Sequence, residues 1–334
     1  MAAVPSLVTR TTIRGTIAKL TLNHPERRNA LSRAMLEQIR TNLETIAFDP
    51  GIRVVVLNAS GPVFSSGHDL REVRANAICR QSNNDNDNDN DENDNDDNNN
   101  NDNNDNDDDD NNNNDDSNNA SLLGLCSSVM TTIVRMPQPV VAQVEGLATA
   151  AGCQLVASCD LAYASPDASF ATPGVDLGLF CSTPGVALGR CVHKKHAMHM
   201  LLTGEPISAS EAERIGLVNA VIGSHNGSSQ NGSGDTRNVV GDDNEGGGGL
   251  QTSSLDEAVL DIAALIASKS PRAIALGKPL FYRQLELPLD DAYRLASEAM
   301  AEHMDHEPEA GEGIDAFLAK RKPDWGSPPS ASTD

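Results

Sequence analysis

Two short runs limit the folds open to this chain more than any other feature. Arg53–Asn58 (RVVVLN) and Val140–Val144 (VVAQV) are nearly all apolar and lack any alternation with polar positions. A strand with one face in water alternates. A run without alternation fits a strand covered on both faces.

Helical patterns lie between and after these runs. Thr11–Leu22, rich in Thr and Ile, reads as a strand, and Asn23-His24-Pro25-Glu26 as a turn. Ser32 is placed to cap a helix whose apolar residues Met35, Leu36, Ile39, Leu43 and Ile46 recur at helical spacing. Asp49-Pro50-Gly51 stops it. A helix begins at Asp69–Arg80, and Leu122–Val134 is an amphipathic helix ended by Pro137 and Pro139. Gly152–Ser158 reads as helix and Asp160–Ala164 as strand. Ala197–Leu202 and Ser208–Ile215 follow as helices, the second with Ser208 and Glu211 in capping-box spacing. Helices Leu255–Ser268, Pro271–Gln284, Leu289–Met304 and Gly311–Lys320 close the chain. Strands alternating with helices and then helices alone argue an α/β core with a helical C-terminal region.

Composition qualifies this plan in two places. Residues 82–119 are almost pure Asn and Asp, and 223–254 are rich in Gly, Ser and Asn. Neither can bury enough apolar area to offset chain entropy, so both are expected to be flexible insertions in surface loops. The expected layout is a core over 9–222 interrupted by a disordered 82–119, a flexible 223–254, and a helical region over 255–325. A Ca²⁺ role for the Asn/Asp tract lacks glycine turns at fixed offsets. The tract holds 16 acidic and no basic residues, so without it the net charge of −23 falls to −7. The rest is mildly acidic, and nothing indicates nucleic-acid binding, which needs a basic face.

The six cysteines, Cys79, Cys126, Cys153, Cys159, Cys181 and Cys191, include no C-x-x-C pair and read as reduced, mostly buried thiols. No apolar run is long enough for a membrane span. Arg10, Arg14 and Lys19 without an acid faintly resemble a transit peptide, but Gly15–Leu22 already reads as strand.

Four segments, in this order, carry a family resemblance. They are Leu22–Leu31 (LNHPERRNAL), Phe64–Leu70 (FSSGHDL), Val144–Gln154 (VEGLATAAGCQ) followed by Cys159-Asp160, and Glu312–Pro323 (EGIDAFLAKRKP). Together they resemble the crotonase (enoyl-CoA hydratase/isomerase) superfamily across about residues 10 to 325. Phe170–Gly174 and Gly178–Gly185 narrow the resemblance to a branch that is mitochondrial in animals. The resemblance implies a spiral of ββα units with a helical C-terminal trimerisation region. It implies an acyl-CoA or enoyl-CoA ligand, a homotrimer or hexamer, a role in fatty-acid metabolism, and a nominal hydratase (lyase) assignment. It further implies a mitochondrial location, with the cytoplasm as the alternative. No permanently bound cofactor and no metal are expected, and coenzyme A enters as part of the substrate.

By position, the backbone N–H groups of His68 and Ala151 would form an oxyanion hole for the thioester carbonyl. Fixed donors aimed at a developing oxyanion are worth roughly 10²–10³ in rate each. Gly67 would permit the tight turn, and Ala150-Ala151-Gly152 would let the thioester approach a helix N-terminus. The His68 imidazole is expected against the ligand's adenine or solvent. Main-chain groups of Arg28 and Ala30, residues Ser66, Gly67, His68, Asp69 and Leu70, and Phe317 and Lys320 of the last helix would hold coenzyme A.

The pattern breaks where hydratases of the family carry two glutamates, since Gln154 and Gly174 stand there. An amide has no useful basicity and glycine has no side chain, and a lost acid or base costs roughly 10²–10⁴ in rate. Ser182 stands where some isomerases have Asp. Asp176 is the one nearby carboxylate, expected on the face of Gly174. Glu145 reads as structural, and His193, His196 and His199 as a solvated helix face. Three readings follow. One is chemistry needing only the oxyanion hole, such as thioester hydrolysis or decarboxylation. Another is a non-catalytic CoA-ester carrier or regulator. The third is a weak hydratase in which Gln154 orients a water.

Overall fold

The computed structural model describes residues 6–87, 119–223 and 254–326. The chain opens with a hairpin, β1 (Val8–Ile13) and β2 (Ile17–Leu22), turned at Arg14 and Gly15, whose φ values are +50° and +75°. Thr11–Leu22 is therefore not one strand. Pairing of Ile13 with Ile17 folds it back on itself, a turn that an Arg-Gly pair does not announce. Helix α1 (Arg33–Ala47) follows, with the Ser32 hydroxyl accepting from Met35 N–H as the sequence predicts. Its five expected apolar residues are all buried, each contributing about 1.5–3 kcal/mol.

Strand pairs then alternate with helices. β3 (Val54–Ala59) and β4 (Val63–Ser65) lead into α2 (Leu70–Asp87), and α3 (Asn119–Arg135) returns the chain. β5 (Val140–Val144) and β6 (Leu147–Thr149) lead into α4 (Ala151–Ser158). β7 (Leu161–Ala164) and β8 (Ser169–Ala171) lead through a 3₁₀ turn at Pro173–Leu177 into α5 (Ser182–Cys191) and α6 (Lys194–Thr203). β9 (Ile207–Ser208), α7 (Ala209–Ile215) and β10 (Ala220–Val221) complete the core. Helices α8 (Leu255–Ala267), α9 (Pro271–Gln284), α10 (Leu289–His306) and α11 (Pro308–Leu318) form the C-terminal region.

The first strand of each pair joins a six-stranded sheet in the order β1-β2-β3-β5-β7-β10, parallel except for the hairpin. The second joins a small sheet, β4-β6-β8-β9, parallel except at β9. This is the expected repetition of ββα units. The double burial of RVVVLN has a direct cause. Val55 and Leu57 enter the main core, while Val54 and Val56 pack with Val141 under Val259 and Ala263 of α8.

α9 is tied to the core by one buried cation. The Lys278 ammonium donates to the carbonyls of Ile133 and Gln138 and pairs with Asp160 at 2.8 Å. Tyr282 donates to the other Asp160 oxygen. The expectations of flexibility fall on residues outside the described ones, except that α2 reaches Asp87 and α3 starts at Asn119. Among the described residues no helix is long and apolar enough to cross a membrane.

Candidate functional site

β4 and β6 are parallel neighbours, so their C-terminal ends emerge side by side. Each turns at once into a loop that starts a helix, 66–69 into α2 and Ala150 into α4. Two glycines let these loops touch. A Cβ on Gly67 (φ +81°) would stand 2.9 Å from the Ala150 Cβ and 3.3 Å from the Ala151 nitrogen. A Cβ on Gly152 would stand 2.6 Å from the Ser65 carbonyl oxygen. The peptides at Gly67–His68 and Ala150–Ala151 are thereby held in contact.

Neither of the two amides donates to another group among the described residues. The bridge between Leu31 and His68 is made through the Gly67 carbonyl, which accepts from Leu31 N–H at 2.8 Å. The His68 N–H is left over. Ala151 is the first residue of α4, so its N–H has no intrahelical acceptor. Ala150, between them, holds φ +51° and ψ −117°, a conformation suited to glycine.

The surrounding loop is pinned by a residue the sequence reading passed over. Asn29 is fully buried and accepts from His24 N–H while donating to the carbonyls of Ser60 and Val63. Its own carbonyl accepts from the Ser65 hydroxyl, which in turn accepts from Gly67 N–H. An Asn in a turn reads as ordinary turn chemistry, so only the three separate partners reveal this role.

The His68 imidazole is not turned to solvent. It is half-buried, with Nδ1 3.2 Å from the Leu31 carbonyl oxygen, to which it donates, and Nε2 buried without a partner. Burial pushes its pKa down, against the opposing pull of the Leu31 carbonyl and Glu72.

The structure brings together most of the expected coenzyme A segment. Ser66 N–H donates to the Arg28 carbonyl, joining 28–30 to 66–70. The main-chain groups of Arg28 and Ala30 are already engaged, with both N–H groups donating and both carbonyls accepting within the chain. Only second carbonyl lone pairs remain for a ligand. Asp69 accepts from Arg71 N–H, and Leu70 is exposed. Phe317 is 82 % exposed on α11, and Lys320 follows that helix. α11 packs against α9 and α10.

At the positions read for the two glutamates the outcomes differ. Gln154 is 4 % exposed, one turn into α4, with its side-chain oxygen buried and unpartnered. At Gly174 the space itself is closed. A Cβ there would lie 2.7 Å from the Cys181 sulfur and 2.8 Å from the Leu179 carbonyl oxygen. Asp176 does not share the face of Gly174. A 3₁₀ turn has three residues per turn, so a residue two positions on points elsewhere. Asp176 is exposed, its carboxylate near Gly204 at the end of α6. Ser182 opens α5 on the surface. Glu145 is exposed and accepts from the Gln143 amide. His193 caps α6 through its ring nitrogen. Among the described residues no group of three His, Cys, Asp or Glu is placed to hold a metal ion.

A spiral of ββα units with two spare amides at adjoining loop ends defines a class, and comparison agrees. The chain belongs to the enoyl-CoA hydratase/isomerase family, whose model matches residues 12–94 and 107–229. Within that family it is similar to enoyl-CoA hydratase domain-containing protein 3, mitochondrial, of Rattus norvegicus, 40% identical over 309 residues and covering 92% of this chain and 81% of that one. The Homo sapiens counterpart is also 40% identical, over 313 residues, with 94% and 82% covered. The crystal structure of the human protein superposes with a TM-score of 0.72 at 39% identity, covering 96% of this chain and 100% of that one. An enoyl-CoA hydratase of Mycobacterium smegmatis gives 0.72 at 38% identity, with 96% and 98% covered.

Proposed function

We propose that this chain binds acyl-CoA thioesters of fatty-acid metabolism, with the His68 and Ala151 N–H groups donating to the thioester carbonyl oxygen. The observation that carries this reading is the pair of unused amides held in contact by Gly67 and Gly152. Two fixed donors favour a carbonyl oxygen that gains negative charge, and the α4 dipole adds to them. The 28–30 and 66–70 loops would hold the coenzyme A part, with Phe317 contributed by α11 and Lys320 by the residues just after it.

The acid–base pair that activates water is absent. Gln154 cannot take a proton, and Gly174 has neither a side chain nor room for one. Ordinary hydration should therefore be slower by roughly 10²–10⁴ for each missing group. A second reading is supported by the same intact amides. Thioester hydrolysis or decarboxylation needs an oxyanion hole but not that carboxylate pair.

The assembly proposed is a homotrimer or a pair of trimers. α9 to α11 expose Phe281, Leu289, Tyr293, Phe317 and Leu318, a large apolar surface for a monomer. Further copies of the chain would cover it. Sedimentation should give a multiple of three, and a monomer at micromolar concentration contradicts this. The mitochondrion is the proposed compartment, supported by the names of the relatives.

The experiment is to mix the protein with crotonyl-CoA and follow the conjugated thioester absorbance, with binding measured in parallel by thermal shift. Binding with little or no loss of absorbance is expected. Turnover near that of ordinary hydratases would overturn the reading of Gln154 and Gly174.

A further inference from the structure

The imidazole of His68 makes a contact that its backbone N–H does not explain. The Leu31 peptide grips the 67–68 segment at two points. Its N–H donates to the Gly67 carbonyl at 2.8 Å, and its carbonyl accepts from Nδ1 of the His68 ring at 3.2 Å. Leu31 is fully buried just ahead of the Ser32 cap, so the grip is anchored in the core. The second point matters because glycine precedes the donor. Gly67 holds φ +81° and has the rotational freedom of its type. One bond to its carbonyl leaves the Gly67–His68 peptide able to swing about that oxygen, and the His68 N–H would swing with it. The ring bond ties residue 68 from its other side. A positioning group displaced by about 1 Å loses much of its effect.

The grip also depends on protonation. A carbonyl only accepts, so the ring carries its proton on Nδ1 and a lone pair on Nε2. Nε2 is buried and has no partner among the described residues. A second proton would place an N–H and a charge there without an acceptor, which is costly in a buried position. Glu72 of α2 pulls toward that proton, but Arg33 N–H donates to its carboxylate at 3.0 Å and the Arg33 guanidinium lies 4.0 Å from it. The Asp69 carboxylate accepts from Arg71 N–H. Burial outweighs the pull of Glu72.

We propose that the His68 imidazole is a positioning residue for the thioester site: neutral and bonded to Leu31, it fixes the peptide that carries its own N–H donor, and protonation releases that donor. This rests on the acyl-CoA reading above and adds to it a pH dependence of carbonyl recognition.

The test is calorimetric titration of the full chain with butyryl-CoA and with coenzyme A alone, from pH 8 to pH 5. The ratio of the two affinities isolates the acyl end, since both ligands carry the same phosphates. In the wild-type protein the ratio should be level above about pH 6.5, the ordinary imidazole value. Below it the ratio should fall by up to about tenfold per unit, the limit for one linked proton. His68→Leu keeps the backbone N–H and loses the ring bond. Its ratio at pH 8 should be about fivefold lower, the worth of one hydrogen bond, and level with pH. His68→Asn offers an amide donor that does not titrate, and should recover part of that loss without pH dependence. A wild-type ratio that does not change with pH would overturn the proposal and leave the acyl-CoA reading standing. So would a His68→Leu ratio equal to the wild-type one. If butyryl-CoA binds no more tightly than coenzyme A at any pH, the reading of the two amides falls and the proposal with it. The wild-type profile decides even if a variant does not fold.

Discussion

The Cys181 sulfur accepts a hydrogen bond from the Gly174 amide at 3.3 Å and fills the space that a side chain at 174 would take. The Leu179 carbonyl closes the same space from the backbone. Gly174→Glu should therefore destabilise the fold by about 1–3 kcal/mol through overpacking, read from urea unfolding. Gln154→Glu combined with Gly174→Glu should hydrate crotonyl-CoA no faster than Gln154→Glu alone. A further tenfold gain from the second glutamate would show that this loop opens easily.

Ala150 is strained where glycine would not be. Its φ of +51° with ψ −117° costs of order 1–3 kcal/mol. Glycine would relieve this and give back part through the entropy of the unfolded chain. Ala150→Gly is expected to raise stability by about 1 kcal/mol, measured by urea midpoints, with CoA-ester affinity unchanged.

The buried Lys278–Asp160 pair decides whether α9 stays docked. Lys278→Met leaves the Asp160 carboxylate with Val140 N–H and Tyr282 as its remaining partners among the described residues. Stranding a buried charge in this way costs roughly 3–5 kcal/mol. Adding Asp160→Asn should recover part of that loss. A single variant that loses less than about 1 kcal/mol would show that the pair is not what anchors the helix.

His68 makes stability depend on pH in one direction. Burial holds its folded pKa below 6.5, the ordinary value that the unfolded chain keeps. Below pH 6.5 the unfolded state binds more protons, so this contribution is complete above that pH and is lost as pH falls through the window beneath it. His68→Phe should flatten the pH dependence between 7 and 5 in chemical unfolding, a window set by the ordinary imidazole pKa of about 6.5.

How much was legible depended on range. RVVVLN declared its double burial because composition alone carries it, and Ser32 declared α1 because a cap acts within three residues. β4, β6 and β8 have three residues each, too few for a period, although they build the site. The loops at Gly67 and Ala150 were readable as motifs. The closure of position 174 by Leu179 and Cys181 was not, because it depends on a 3₁₀ turn folding the chain back on itself. Asp176 was misplaced for the same reason.

The most direct test is the infrared spectrum of butyryl-CoA labelled with ¹³C at the thioester carbonyl, free and bound to the full chain. Two N–H groups donating to that oxygen will lower the bound carbonyl stretch below its value in water. A saturating complex whose stretch is unshifted or raised would mean that His68 and Ala151 do not hold the thioester oxygen.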